Sequence, residues 1–416
     1  MSLEASSSRA RHSRYALIPA IGTSKLGTGA FTVVVLYVVG RDAGIGPAGM
    51  VLALEAVPVV IFGLLGGVFA DRSDKRRLLL SYDASSVIVC ALPCILFTAR
   101  HDLLHNTDVV VASAVIVSVV CAVTSGLYAP TSRAIVPFIM DRSEFARYNG
   151  TLSAMGSVSQ VCGPLVGGLI ITLTNDCYLW ALLVNLVSFT ISFLITLVLP
   201  RTAAPRVQNG GSIVGSVLEC AVWIRGNRPV RRVLASASLL YFLLAPVGLV
   251  VLSQLGGSAS AGKYLSICQA FQAFGAVVCV LTTDRIYRRY DPLASMSVLC
   301  GVSALLTLML ASPSLLLYVV SAFGLGFVST LFAVSLFGVI QNEAPEEMVG
   351  RAIAVSAALS GALIPAGLFL FGHLITLSSA AAVVVATSIC LAILAVVDHL
   401  LSRKPANKTA EVGVRR

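Results

Sequence analysis

Lys25 and Glu55 stand inside long apolar runs of the sequence. If those runs cross a bilayer, each charge costs roughly 2.5–3.5 kcal/mol to insert, so residues of this kind mark a proton or ligand path. Counted from the ends of their runs that carry basic flanks, the two sit about 13 and 21 Å deep at a rise of 1.5 Å per residue, an offset that a lysine can bridge. Glu55 could then load and release a proton while Lys25 holds it ionised or attracts an anionic part of a ligand. The plain alternative is that the two only neutralise one another. Asp83, about five residues into its run, is expected in a charge cluster at the end of the spans rather than in a cavity. Gln160, Asn185, Tyr241, Gln254, Gln269 and Gln272 place polar groups in or at the ends of runs, where lipid forces each to find an inward partner. Of these, Gln160, Asn185, Tyr241 and Gln269 join Lys25 and Glu55 as candidates for a proton-coupling or ligand cavity.

No catalytic constellation emerges, and an enzyme is not expected. The histidines are His12, His101, His105, His373 and His399; none makes a metal pattern, and no glycine-rich phosphate loop with its lysine is present. Neither a metal nor an organic cofactor is therefore expected, nor is energy from nucleotide hydrolysis within this chain. Eight of the ten cysteines fall inside apolar runs, which reads as small core residues rather than a disulfide framework.

The elements that must hold these residues follow from composition. Apolar residues make up 57% of 416, and charged residues only 12%, half the share of an ordinary soluble domain. Twelve membrane helices of about 20 residues would consume about 240 residues, close to the apolar total. A water-soluble globule, a disordered chain, a coiled coil and collagen are all excluded. Hydropathy and helix breakers place spans near 15–39, 47–70, 78–99, 109–131, 150–174 and 178–199, then 232–255, 262–281, 292–311, 314–337, 352–374 and 378–400.

With the first span running inside to out, 25 of the 29 Lys and Arg residues fall on the inner side, the bias that sets membrane orientation. Both termini should then be cytoplasmic in a multi-pass membrane protein. The bases are scattered through short loops rather than gathered on one face, so nucleic acid is not an expected partner; a small-molecule ligand and the bilayer are, and no obligate protein partner is implied. The amino-terminal apolar stretch from Tyr15 to Val39 is too long for a signal-peptide core and reads as an uncleaved span.

An internal repeat organises the chain. Asp71-Arg72-Ser73-Asp74-Lys75-Arg76 follows the second span, and Asp284-Arg285-Ile286-Tyr287-Arg288-Arg289 follows the eighth. Pro164 in the fifth span is echoed by Pro365 in the eleventh. The expected division is a six-helix bundle over 1–199, a cytoplasmic linker over 200–231, a second six-helix bundle over 232–400 and a cytoplasmic tail over 401–416. In the linker, Val214, Val217, Leu218 and Ala221 recur at helical spacing opposite Glu219 and Arg225, which fits an interfacial helix or an ordinary turn equally well. Two six-span repeats facing each other suit a secondary transporter with its site near the midplane between them.

Two motifs carry a family resemblance. Gly67-Val68-Phe69-Ala70-Asp71-Arg72-Ser73-Asp74-Lys75-Arg76-Arg77 resembles the loop 2–3 signature of the major facilitator superfamily, with Asp74 where a second glycine is usual. Gly67 would allow close helix approach, Asp71 would stabilise a helix amino end, and the bases would pair across the gap between halves. On this reading Gly67, Asp71, Arg72, Lys75, Arg76 and Asp83, with Asp284, Arg285 and Arg288 of the repeat, form a cytoplasmic gate that in the family reaches the start of helix 11, here near Arg351. Ser159, Gly163, Pro164, Gly167 and Gly168 resemble the family's antiporter motif, with Ser159 in place of its first glycine. Pro164 should bend the fifth helix there.

Within the superfamily the chain is most similar to the bacterial drug-efflux branch that includes macrolide and enterobactin exporters. The resemblance implies an all-α membrane fold of twelve helices in two pseudo-symmetric bundles, alternating access, and proton-driven export of an amphiphilic drug, antibiotic, siderophore or other metabolite. An uptake carrier for a small nutrient, or a scaffold or sensor that kept the fold without transport, remain the alternatives.

Overall fold

A computed structural model describes residues 15–140, 144–174, 177–200, 213–255, 261–287, 289, 292–345 and 348–403. The described residues are almost wholly helical and include no strand. The first six spans are α1 (Leu17–Asp42), α2 (Ile45–Arg72), α3 (Lys75–Ala99), α4 (Thr107–Ala134), α5 (Phe145–Leu173) and α6 (Cys177–Thr196). A one-turn helix, Val136–Ile139, follows α4. Next come α7 (Ile213–Gly226), α8 (Arg228–Leu244), α9 (Val247–Leu255), α10 (Ala261–Tyr287), α11 (Pro292–Met309), α12 (Leu315–Glu343), α13 (Val349–Gly361), α14 (Leu363–Leu377) and α15 (Ala380–Arg403). Eleven of the segments they form are long and apolar enough to cross a membrane, with α8–α9 and α13–α14 each counting as one, and the shorter apolar helix Ser295–Met309 supplies the twelfth.

Two expected spans are broken, and proline accounts for both. Pro246 has no N–H for the Phe242 carbonyl, so 232–255 divides into α8 and α9. That carbonyl lies against Gly367, where a Cβ would come within 2.6 Å of it. Pro365 likewise has no N–H for the Gly361 carbonyl, and 352–374 divides at Ala362. Pro164, by contrast, sits inside α5 without interrupting it. The tight connection between α1 and α2 turns on Gly44, whose φ of 99° favours a residue without a Cβ.

Apolar side chains point outward from most of the spans, and Leu92, Leu173, Leu281 and Leu316 are all more than 60% exposed, as lipid-facing residues should be. In contrast, α1 is packed within the protein and exposes no large apolar side chain. All ten cysteines are free thiols. The linker does hold a helix, α7, but its protein-facing stripe is Cys220 and Ile224, which are buried. Leu218, expected on the apolar face of an interfacial helix, is exposed together with Val222, and the side chains of Val214 and Val217 lie outside the described residues. Residues 201–212 lie outside the described residues.

Packing within the first six spans centres on α1 against α5 and α6, α2 against α4, and α3 against α4 and α6; in the last six, α10 packs on α12 and α11 on α15. Between these groups the principal contacts are α5 with α10 and α2 with α14. Near the amino-proximal end of α15's partner helices a buried ion pair ties α8 to α15: Arg232 Nη2 donates to Asp398 Oδ2 at 2.7 Å and Arg232 Nε to Oδ1 at 2.8 Å. Ser236 Oγ adds a third hydrogen bond to that carboxylate.

Candidate functional site

Among the described residues, two cavities bring the candidate charges together. The first, about 530 Å³, is enclosed by α1, α3, α4, α5 and α6 and is lined by Lys25, Tyr82, Asp83, Tyr128, Arg133 and Gln160 among others. The second, about 680 Å³, lies between α2 and α4 on one side and α13 and α14 on the other, with Glu55 and Arg133 as its charged groups and apolar walls elsewhere.

Lys25 projects from α1 toward α5, where Gly156 leaves it room: a Cβ at Gly156 would lie 3.1 Å from Lys25 Nζ. Gln160, one turn along α5, lines the same cavity. Glu55 does not join them. It lines the second cavity, and its Oε1 accepts a hydrogen bond at 3.2 Å from Thr32 Oγ1 of α1. Its Oε2 is buried without a hydrogen-bond partner among the described residues. The expected Lys25–Glu55 pair is therefore replaced by two separate sites, because the two side chains leave their helices toward different cavities.

Three further expectations change. Asp83 is not in the charge cluster at the helix ends: it is 1% exposed, lines the first cavity, and its Oδ2 accepts hydrogen bonds from Ser192 Oγ at 3.0 Å and Thr196 Oγ1 at 3.1 Å. Asn185 is fully buried against α1 and α3 and donates to Cys90 Sγ, so it glues helices and lines neither cavity. Tyr241 donates to the Ser329 carbonyl at 3.5 Å, and neither it nor Gln269 lines these cavities. The residue missed is Arg133. Read as a loop base, it belongs to the last turn of α4 and reaches both cavities. Pro130, just before Thr-Ser-Arg-Ala, reads as the end of the span, and no signal in the sequence shows that α4 runs through it to Ala134.

The residues Ser159, Gly163 and Gly167 form one seam against α1. Ser159 Oγ donates to the Gly22 carbonyl at 2.8 Å, a Cβ at Gly163 would fall 3.0 Å from the Leu26 carbonyl, and one at Gly167 would fall 2.8 Å from the Ala30 carbonyl. Gly168 turns to the other side and meets Ser266 of α10. The motif thus brings three helices to van der Waals contact, with Ser159 supplying a hydrogen bond where a glycine would supply only space.

At the basic end of the spans, Asp74 caps α3: its Oδ1 accepts from the backbone N–H of Arg76 at 3.0 Å and of Arg77 at 3.3 Å. Aspartate at this position is therefore a helix cap in a turn where a glycine would give only freedom. Asp74→Ala should lower stability by about 1 kcal/mol, read as a small drop in the thermal midpoint of the purified protein. Arg76 Nη2 donates to the Leu197 carbonyl at 2.6 Å, and the buried Lys75 ammonium sits 4.5 Å from the centre of the Phe138 ring. Arg285 is exposed at the end of α10. Gly67 lies in α2, but the side chains of Asp71, Arg72, Asp284 and Arg351, and Arg288 as a whole, lie outside the described residues.

Contacts between the two groups of spans concentrate at the opposite, base-poor end. A Cβ at Gly49 would meet the Leu368 carbonyl at 2.8 Å and Gly372 Cα at 3.2 Å; one at Gly262 would meet Tyr37 at 3.0 Å. Gly46 faces Thr376 and Gly248 faces Leu36 in the same region, while the contact of Gly361 with Val60, about halfway along α2, is the deepest of the set.

Comparison with known proteins agrees with this architecture. The nucleoside transporter NupG is similar in fold, with a TM-score of 0.77 at 13% identity over 94% of this chain and 100% of that one. A bacterial homologue of the human lysosomal transporter Spinster, solved in an inward-facing and unoccupied conformation, gives 0.67 at 14% identity over 94% and 97%. In sequence, macrolide efflux protein A of Streptococcus pyogenes is 19% identical over 345 residues, covering 81% of this chain and 82% of that protein. Its namesake in Enterococcus faecalis is 20% identical, covering 77% and 99%. The staphyloferrin A transporter of Staphylococcus aureus is 25% identical over 123 residues, 30% of each chain. The sequence model of the Major Facilitator Superfamily matches residues 17–367, and with twelve spans, a loop 2–3 signature and a glycine–proline seam in its fifth span, the chain belongs to that superfamily.

Proposed function

We propose that this transporter exports a small amphiphilic molecule from a bacterial cell by alternating access, in exchange for protons. The observation that carries the reading is the distribution of contacts between the halves: they meet at the base-poor end, while the cavities lie deeper. Positive charge sets the basic end in the cytoplasm, so the cavities would load from the cell interior. The halves, taken as 1–199 and 232–400, would rock about the sealed seam, and the basic loops would close the cytoplasmic side in the other state.

Glu55 is the proposed proton carrier. It sits where the halves face each other, and one of its oxygens has no donor among the described residues, so an ionised carboxylate there is poorly compensated in a medium of low dielectric. The similarity to macrolide efflux proteins supports export and an amphiphilic cargo. The test is a susceptibility and metabolite-export screen in an efflux-deficient bacterial host. Expression should exclude at least one compound; Glu55→Gln, or dissipation of the proton gradient, should return its accumulation to the level of the empty host. Accumulation above that level on expression would instead identify an uptake carrier, and binding without flux a sensor.

A further inference from the structure

Lys25 and Arg133 line one cavity, and the charged neighbour that acts on Lys25 is the like-signed Arg133. Asp83, the acid of the same wall, is engaged by Ser192 and Thr196 instead. Two like charges on the walls of one cavity, Lys25 within a span and Arg133 at the end of another, repel, and the one within the span is costly to insert; a ligand with negative charge relieves both penalties. Five of the hydroxyl groups around them do not compete for that role, because they spend their hydrogens on backbone carbonyls or on one another, whereas the buried Tyr128 hydroxyl on the same wall has no hydrogen-bond partner among the described residues and remains a neutral donor. Ser24 donates to the Ile21 carbonyl, Thr28 to the Ser24 carbonyl and Ser132 to the Ala129 carbonyl. Ser86 and Thr124 bond to each other. The groups left to donate to a ligand thus include two cations, the amide of Gln160 and the Tyr128 hydroxyl, and of these only the cations select for negative charge.

We propose that the first cavity binds the carboxylate end of its ligand between Lys25 and Arg133, so that the transported molecules are carboxylated amphiphiles rather than amphiphilic cations. The apolar body lies along Ile21, Leu152 and Phe189 on the same wall. Arg133 also borders the Glu55 cavity, so the residue that would hold the carboxylate lies on the walls of both cavities. An inside-negative potential favours outward movement of such an anion. The binding claim stands by itself; only the direction of movement rests on the export reading.

The test uses matched acid, amide and amine probes on a phenylbutyl and on a steroid body, with binding to the purified full chain followed by calorimetry and thermal shift. The acids should bind, and the amides and amines should bind at least about tenfold more weakly, the loss expected when a charge-assisted hydrogen bond is removed. Lys25→Gln and Arg133→Gln should each weaken acid binding about 10- to 100-fold, while Lys25→Arg retains it. Preference for amines, equal binding of acids and amides, no binding by any probe, or acid binding that survives the double Lys25→Gln, Arg133→Gln change would each overturn the proposal. So would inorganic phosphate binding as tightly as the acids, since the site would then hold a bare oxyanion or a lipid headgroup. Acid binding without export in cells would instead overturn the transport reading alone.

Discussion

A Gly49→Leu variant will reach the membrane and fail to transport. Gly49 of α2 lies where a Cβ would meet the Leu368 carbonyl at 2.8 Å, Gly372 Cα at 3.2 Å and Leu249 Cδ1 at 3.2 Å. Two of these three atoms are backbone of α14 and cannot turn aside. Overpacking of this kind costs about 1–3 kcal/mol. The contact joins the two groups of spans and exists only while the base-poor end is sealed, so the cost falls on that state and not on the fold. At 1.4 kcal/mol per tenfold, the sealed state loses roughly 5- to 150-fold in population. A cycle that must pass through it stalls, and export falls to the level of the empty host. The same variant should expose the first cavity from outside: a Gln160→Cys side chain, shielded otherwise, should react with an impermeant maleimide only when Gly49→Leu is also present. Normal export by Gly49→Leu would show that the seam is not part of the cycle.

The second large effect is on stability. Asp398 is 1% exposed and holds Arg232 through two hydrogen bonds from the guanidinium, with Ser236 as a third donor. Asp398→Ala leaves a cation in the packed contact of α8 and α15 without its carboxylate, and breaking a buried pair in this way costs about 3–5 kcal/mol. The purified variant should unfold at a much lower temperature in detergent, or fail to accumulate in the membrane. Replacing both members together, Arg232→Met with Asp398→Leu, should recover most of the loss, because apolar residues of similar volume commonly match a buried ion pair. If Asp398→Ala melts with the parent, the pair is a bystander.

The spans were legible because lipid demands long apolar helices, and the pattern of bases around them because orientation demands it. Less was legible where a single peptide bond decides. Pro246 and Pro365 divide two spans, while Pro164, identical in type, does not, and nothing in hydropathy separates these cases. Gly163 and Gly167 were legible through their resemblance to a family motif, but their partner α1 required the fold. The site was legible in its residues and not in its pairings. Lys25, Asp83 and Gln160 meet in one cavity, whereas Glu55 stands in another beside Thr32. Depth along a span can be counted from sequence, but the direction in which a side chain leaves the helix depends on how that helix is rotated by its neighbours. Arg133 shows the same limit, since a base at a helix end reads as a loop anchor until α4 is seen to carry it over both cavities.

The account stands or falls on whether the two ends of the molecule open in opposition. Spin labels at Asp108 and Ser312 report separation at the base-poor end, and labels at Arg77 and Arg285 report it at the basic end; all four positions are exposed and each pair spans the two groups of helices. Pulsed distance measurements in lipid nanodiscs, before and after acidification or the Glu55→Gln change, should show one pair lengthening as the other shortens. Distances that stay fixed at both ends, or that change in the same sense, would contradict alternating access in this protein.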